Sequence, residues 1–292
     1  MTPELFFLQL TTGIGTGALL TLVSAGFTIT FGLQRIINIS HGALYMLGAY
    51  LTAELLRAGL PFWAVIACAF VAIGALGLLI QAALLSRLRT ADPLVQILVT
   101  LGVSMMVSEL LKLAYGPEAK MLEIPASLLG VVSFRGVVYP RYFLFVIAFS
   151  AALMVLLWII FSRAQAGLMV QAVALDPEMA FAVGINVPVV QALTFGIGAG
   201  TAGVAGALAG PLFSVHPWMD LDIMPMVFAI VIFGGLGDVR GAIAGALVSG
   251  LILAFGTAAT SSTVATMTVF LLMALTVAVR PQGLFGAPAL RR

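Results

Sequence analysis

The polar side chains able to do chemistry in this sequence are few, and most are set in apolar surroundings. Asn38, Ser40 and His41 interrupt the segment Ile37–Tyr50 (INISHGALYMLGAY). Gln96, Thr100, Ser104 and Ser108 recur every four residues, which places them as a stripe on one helix face, with Glu109 next and Lys112 three residues further on. Neither set is a hydrolytic or redox constellation. No P-loop, H-E-x-x-H or G-x-S-x-G occurs, and His216 precedes Pro217 without companion ligands, so no metal site is expected. The lone Cys68 excludes a disulfide framework and a cysteine-based zinc site, and reads as a buried small residue. Gly198-Ala-Gly200-Thr-Ala-Gly203 fits G-x-G-x-x-G, with Asp220 downstream, but inside a 41-residue uncharged run rather than a strand–turn–helix unit. What remains is hydrogen-bonding chemistry. Asn38, Ser40 and His41 either hold a bend through interhelical hydrogen bonds or line a translocation path, because an unsatisfied polar group in hydrocarbon costs several kcal/mol. The Thr100, Ser104 and Ser108 face either lines that path or packs on neighbouring helices. Glu109, the acid well inside a span, forms a neutralising pair with Lys112 rather than a proton relay.

These groups must be positioned by membrane helices. Hydrophobic residues make up 62% of the 292-residue chain and charged residues 8%. Leu5–Gln34, Ala58–Ser86, Tyr142–Ser162, Met179–Met219 and Gly241–Val279 contain no charge at all. About 20 apolar helical residues cross a hydrocarbon core of roughly 30 Å. The runs are uniformly apolar rather than alternating, which excludes a transmembrane β-barrel. The expected fold is all-α and polytopic, a single transmembrane domain over 1–292 with eight or nine crossings, some short or broken. Spans are expected near 8–32, 38–56, 61–85, 94–114, 142–161, 189–212, 222–236, 241–257 and 263–279. The pieces 38–56 and 222–236 are short enough to be broken or re-entrant. Gly256–Thr263 is the natural turn within Gly241–Val279. Without Lys or Arg before the first apolar stretch, the N-terminus reads as a retained span. The net charge of +2 does not make a nucleic-acid surface.

Basic residues orient the chain. With a cytoplasmic C-terminus, Arg35, Arg87, Arg89, Arg163, Arg240, Arg280, Arg291 and Arg292 fall inside, against Arg57, Lys112, Lys120, Arg135 and Arg141 outside, eight to five. The N-terminus is therefore expected outside. The outer loop 116–141 contains an alternating Val131–Val138, a candidate hairpin. The cytoplasmic segment 162–188 reads as two short helices. Ala164–Leu175 favours helix, Asp176 N-caps a second one with Pro177 at its first position, and Gly184 closes it. Such an element is either an interfacial connector or a docking surface for a partner. Glycines spaced by four, at Gly13/Gly17, Gly196/Gly200, Gly206/Gly210, Gly237/Gly241 and Gly241/Gly245, mark helix packing, and Gly42 and Gly48 permit close approach as well.

Four blocks in order match a known family pattern. They are Asn38-Ile-Ser-His41-Gly42-Ala-Leu-Tyr45-Met46-Leu-Gly48-Ala49-Tyr50; Gly167 through Ala172 with Ala180 and Gly184-Ile185-Asn186; Phe233-Gly234-Gly235-Leu-Gly237 with Gly241-Ala242 and Gly245; and Pro281-Gln-Gly283-Leu-Phe285-Gly286. On these the chain resembles the LivH-type permease subunits of branched-chain amino-acid ABC importers. It departs from them at Ala43, where members often carry an acid, and at Gln171, which stands before Ala172 where members often have an Arg. It also lacks a Lys in Ile223–Phe233. The resemblance implies a bacterial inner-membrane importer that carries branched-chain or related small amino acids, relatives also handling urea, short amides and other small organic acids. Implied partners are a second permease (sister or identical), two cytoplasmic ABC ATPases that bind ATP and Mg, and an extracytoplasmic substrate-binding protein. This chain itself would hold no cofactor. Gly167, Gln171, Ala172, Asp176, Pro177, Glu178, Ala180 and Gly184 would then couple to the ATPases, and Gly42, Gly48, Gly200, Gly234, Gly235, Gly237, Gly241 and Gly245 would pack helices. A self-contained secondary transporter or channel is the rival reading; a membrane-embedded enzyme has no catalytic constellation behind it.

Overall fold

Long apolar runs bounded by capping residues fold as helices in this chain, and the computed structural model describes residues 3–88, 91–134 and 137–285 of it. Arg89, Arg135, Gly286, Arg291 and Arg292 lie outside the described residues. Each of the nine expected spans is a helix: α1 (Pro3–Gln34), α2 (His41–Arg57), α3 (Phe62–Leu88), α4 (Pro93–Tyr115), α5 (Arg141–Arg163), α8 (Val187–Ala209), α9 (Met219–Gly234), α10 (Val239–Ala259) and α11 (Ser262–Val279). Between α5 and α8 lie the short α6 (Gln165–Leu175) and α7 (Pro177–Ala182). Among the described residues seven helices are long and apolar enough to cross a membrane; α2 and α9, with 17 and 16 residues, are the two short pieces. The protein is a polytopic all-α membrane protein.

Local chemistry sets the helix ends. The Asp92 carboxylate accepts from Leu94 N–H at 2.8 Å at the start of α4, with Pro93 in the first turn. Asp238 accepts from Arg240 and Gly241 N–H at 2.7 and 3.1 Å at the start of α10. Gly59 and Gly116 take positive φ just after α2 and α4, the left-handed conformation that ends a helix without a Cβ penalty. The expected broad turn at Gly256–Thr263 is tighter, since only Thr260 and Ser261 separate α10 from α11. The expected hairpin pairs β1 (Val131–Phe134) with β2 (Val137–Pro140).

The described residues within Met1–Ala25, Glu123–Leu153 and Pro225–Arg292 form one compact unit, and those within Gly26–Leu122 and Met154–Met224 form another. In the first, Gly13 and Gly17 lie against Leu251 and Leu247 of α10, and Gly234 and Gly241 face each other backbone to backbone. Gly235 and Gly237, expected on a helix face, sit instead in the turn between α9 and α10 with φ of 117° and 87°. A tight reversal there demands positive φ, so the glycines end helices rather than pack them. Gly235 also lies against Gly283 in the turn after α11.

In the second unit α8 is the hub. Its glycines meet a different neighbour at each turn: Gly198 faces Gly26 and Thr30, Gly200 faces Phe70, Gly203 faces Ile73 and Gly48, and Gly206 faces the Tyr45 carbonyl. Lipid supplies no hydrophobic drive between helices, so close backbone approach supplies the packing energy. Cys68, expected to be buried, is exposed on α3, because Ala69 and Ile73 take the face against α8. A Cβ at Gly206 would strike the Tyr45 carbonyl, whereas one at Gly102 on α4 meets nothing. Gly206→Ala should therefore destabilise the detergent-purified chain by about 3 kcal/mol or more, while Gly102→Ala stays within about 0.5 kcal/mol. Thermal unfolding of the two variants side by side checks this; equal stability would mean that α8 does not approach α2 as described.

Candidate functional site

The broken entry to α2 and the polar stripe of α4 meet within the second unit. The chain leaves α1 through Arg35, the non-glycine residue with positive φ (54°) among those described, and stays irregular to Ser40. That segment is buried at Asn38 and Ser40, so its backbone groups need partners inside the protein. Asn38 Oδ1 accepts from Ser40 N–H at 3.1 Å and from the Ser40 hydroxyl at 2.6 Å, an Asx-type turn that starts α2. Thr100 takes the next group, its hydroxyl accepting from Ile39 N–H at 3.2 Å and donating to the Gln96 carbonyl at 2.9 Å. His41 is buried with its ring edge-on to Phe27, centroids 5.6 Å apart.

The four stripe residues divide the work. Gln96 donates to the carbonyls of Leu88 and Ala91 at 3.0 and 3.1 Å, closing the connection from α3. Thr100 props the irregular segment. Ser104 donates to Asp220 Oδ2 at 2.6 Å, and the Ser108 hydroxyl lies 3.1 Å from the same oxygen. All four are buried, so the stripe faces the protein and not lipid.

Asp220 is the residue that sequence reasoning missed. The expected span began at 222, which left Asp220 in a loop, but α9 begins at Met219 and its first turn carries Asp220 into the interior at 1% exposure. Gly42 makes room for it, since a Cβ there would strike Met224 and the Asp220 backbone. The available signal was the pair Asp220 and Asp222 at the start of a short stretch that is otherwise free of charge. Glu109, expected to be the acid well inside a span, is exposed and pairs with Lys112 Nζ at 2.6 Å. Lys112 also lies over the Trp218 ring at 5.1 Å, and His216 Nε2 is 3.4 Å from Asp222 Oδ2, a companion not expected from sequence. Among the described residues no group of His, Cys, Asp and Glu is arranged to hold a metal ion.

The segment between α5 and α8 follows its capping chemistry. Asp176 Oδ1 accepts from Glu178 and Met179 N–H at 3.0 and 2.9 Å, Pro177 opens α7, and Gly184 turns out of it with φ 92°. Val173, Ala180, Val187 and Val190 form a small core with Leu33, against which Ala172 also packs. Gly167 is pressed on the Phe161 backbone, and Gln171 Nε2 donates to the Phe161 carbonyl at 3.2 Å. Gly167, Ala172 and Ala180 thus hold the segment to the protein's own body. What faces outward is Leu175, Met179, Phe181 and Val183 together with Asp176, Glu178 and Gly184.

Helices of crossing length around buried polar groups, with a capped two-helix segment between spans, define a polytopic membrane protein with a polar interior. The chain belongs to the family described as branched-chain amino acid transport system / permease component, whose pattern matches residues 9–279. It is 29% identical over 306 residues to the high-affinity branched-chain amino acid transport system permease protein LivH of Escherichia coli K12, covering 99% of this chain and 98% of that protein. It is 29% identical over 307 residues to the corresponding BraD of Pseudomonas aeruginosa, covering 99% of each. A probable LivH of the archaeon Methanocaldococcus jannaschii is 25% identical over 245 residues, covering 80% of this chain and 75% of that protein. No solved structure matches significantly.

Among the described residues, Ser104 donates to Asp220, and the Ser108 hydroxyl is within reach of both Asp220 and the Ser104 carbonyl. Replacing both by Ala should leave the carboxylate buried without them and lower stability by about 2–3 kcal/mol. Asp220→Leu in the same background should recover part of that loss, because replacing both partners removes the stranded group. Thermal unfolding of the three proteins decides it; a double-Ala variant as stable as the parent would mean that the contact is not made.

Proposed function

We propose that this chain is the membrane-spanning permease subunit of an ATP-driven importer for branched-chain or related small amino acids, in the bacterial inner membrane. Its N-terminus lies outside and its C-terminus inside. The match to permease components over nearly the whole chain carries this reading. Asn38, Ser40, His41, Thr100, Ser104 and Ser108 border the path, as buried polar groups grouped on one helix face and one broken helix entry. The chain performs no chemistry itself. Two cytoplasmic ATPases bind ATP and Mg, a second permease, sister or identical, completes the path, and an extracytoplasmic binding protein delivers substrate.

The α6–α7 segment supports this division of labour. Its inner face is locked to the protein by Ala180 and Val173, and its outer face exposes Leu175, Met179, Phe181 and Val183. A rigid apolar knob fixed at its base transmits a push, which a mobile loop does not. Phe181→Glu should leave the permease folded and lower co-purification of the ATPases at least tenfold, since a charge set in an apolar contact costs several kcal/mol. Full retention of the ATPases with full substrate-stimulated hydrolysis would reduce the segment to a connector.

The buried Asp220 favours a second reading, a self-contained transporter driven by an ion gradient, because intramembrane acids serve such couplings. Reconstitution separates the two. The importer should take up leucine only with ATP and binding protein present and stop with vanadate; uptake by this chain alone under an ion gradient would establish the second reading.

A further inference from the structure

Asp220 sits at mid-depth of the span it contacts. Ser104 has eleven residues of the 23-residue α4 on either side, about 16 Å of helix each way. At that depth a carboxylate is expensive, and acids kept there face a partner or a passing solute. Ser104 and Ser108 serve Oδ2, whereas Oδ1 is buried and has no hydrogen-bond partner among the described residues. Oδ1 is thus a buried oxygen left open beside one that Ser104 holds at 2.6 Å, with the Ser108 hydroxyl shared between Oδ2 and the Ser104 carbonyl. Asp220 also lies in the first turn of α9, where a helix favours negative charge.

A second orphan of opposite character lies on the same seam. Asn38 Oδ1 accepts two bonds from Ser40, one from a backbone N–H, which fixes the amide orientation and leaves Nδ2 as the outward group. Nδ2 is buried and unpartnered. Thr100 anchors Ile39, next to Asn38, and Ser104 anchors Asp220; the two anchors are one turn apart on α4, about 6 Å along its axis. The seam thus offers one open carboxyl oxygen and one open amide donor. An α-amino acid carries the complement on a single carbon, an ammonium group to donate and a carboxylate to accept.

We infer that Asp220 Oδ1 is the subsite for the α-ammonium group of the translocated amino acid, with Asn38 Nδ2 as a donor to its carboxylate. The inference rests on the amino-acid permease reading and assigns the residue that separates amino acids from uncharged small solutes. Urea and short amides lack the cation that Oδ1 would take, so a chain built for them would have no use for a buried acid here. The side chain of the amino acid is left to the apolar surroundings of α2 and α9.

The test uses the full importer in proteoliposomes, comparing wild type, Asp220→Asn and Asp220→Glu for radiolabelled leucine uptake. Asp220→Asn keeps a carbonyl oxygen for Ser104 while removing the charge, and co-purification of the complete complex checks assembly. The expected result is normal assembly with leucine uptake down at least tenfold in Asp220→Asn and partly retained in Asp220→Glu. Wild-type uptake rates in Asp220→Asn would overturn the subsite and leave the importer reading standing. Loss of assembly together with uptake in both variants would make Asp220 a packing residue and also overturn it. Preference of the wild type for urea or a short amide over leucine would overturn the ammonium assignment but not the ATP-driven mechanism. If wild type takes leucine only under an ion gradient, the importer reading fails, and the same variants are compared in that mode. A tenfold loss there sustains the subsite, whereas proton-driven uptake lost without any change in leucine affinity would make Asp220 a proton carrier instead.

Discussion

A chain in hydrocarbon must satisfy its own polar groups, and the rest of this structure follows from that constraint. It makes the long apolar runs helical, because only a helix pairs its backbone within one segment. It also dictates what happens where a helix is interrupted. Residues 35–40 break the run between α1 and α2, and the break persists because Asn38 and Thr100 supply the hydrogen bonds that a continuous helix would have made. The irregular segment and the polar stripe are therefore one device.

The same medium removes the hydrophobic drive between helices, which leaves close contact and hydrogen bonds to hold them. The glycine row of α8 is the outcome. Gly198, Gly200, Gly203 and Gly206 point round the helix to three neighbours, so one small-residue helix organises residues 26–34, α2 and α3. Gly42 applies the same principle to the first turn of α9, bringing the Asp220 backbone against α2 and its side chain onto Ser104. Packing and the polar site thus depend on the same missing side chains.

The segment between α5 and α8 shows the reverse arrangement. Here a small core of Val173, Ala180, Val187, Val190 and Leu33 fastens a two-helix element, and the larger apolar side chains are turned away from it. A free-standing amphipathic connector would bury Phe181 and Met179 and leave Ala180 outside. Small residues lie beneath and the large apolar Leu175, Met179, Phe181 and Val183 stay exposed.

The sequence by itself determined the helical membrane class, the nine helical segments, the hairpin and the capped two-helix element. Each of these rests on local quantities: run length, periodicity, an Asp-Pro start or a glycine stop. It also marked Asn38, Ser104 and Ser108 as polar groups that had to face inward, since an apolar medium admits no other placement. Only the tertiary structure decided what they face. Whether Gly235 and Gly237 pack or turn depends on where α9 ends, and whether Cys68 is buried depends on which face of α3 meets α8. Asp220 looked like a loop acid because it lies at the edge of a charge-free run. It becomes the buried acid of the site only because α9 starts three residues earlier than the expected span and Gly42 admits its first turn. Contacts such as Ser104 to Asp220, 116 residues apart in sequence, leave no periodic trace in the chain, because they arise from the packing of helices and not from any one of them.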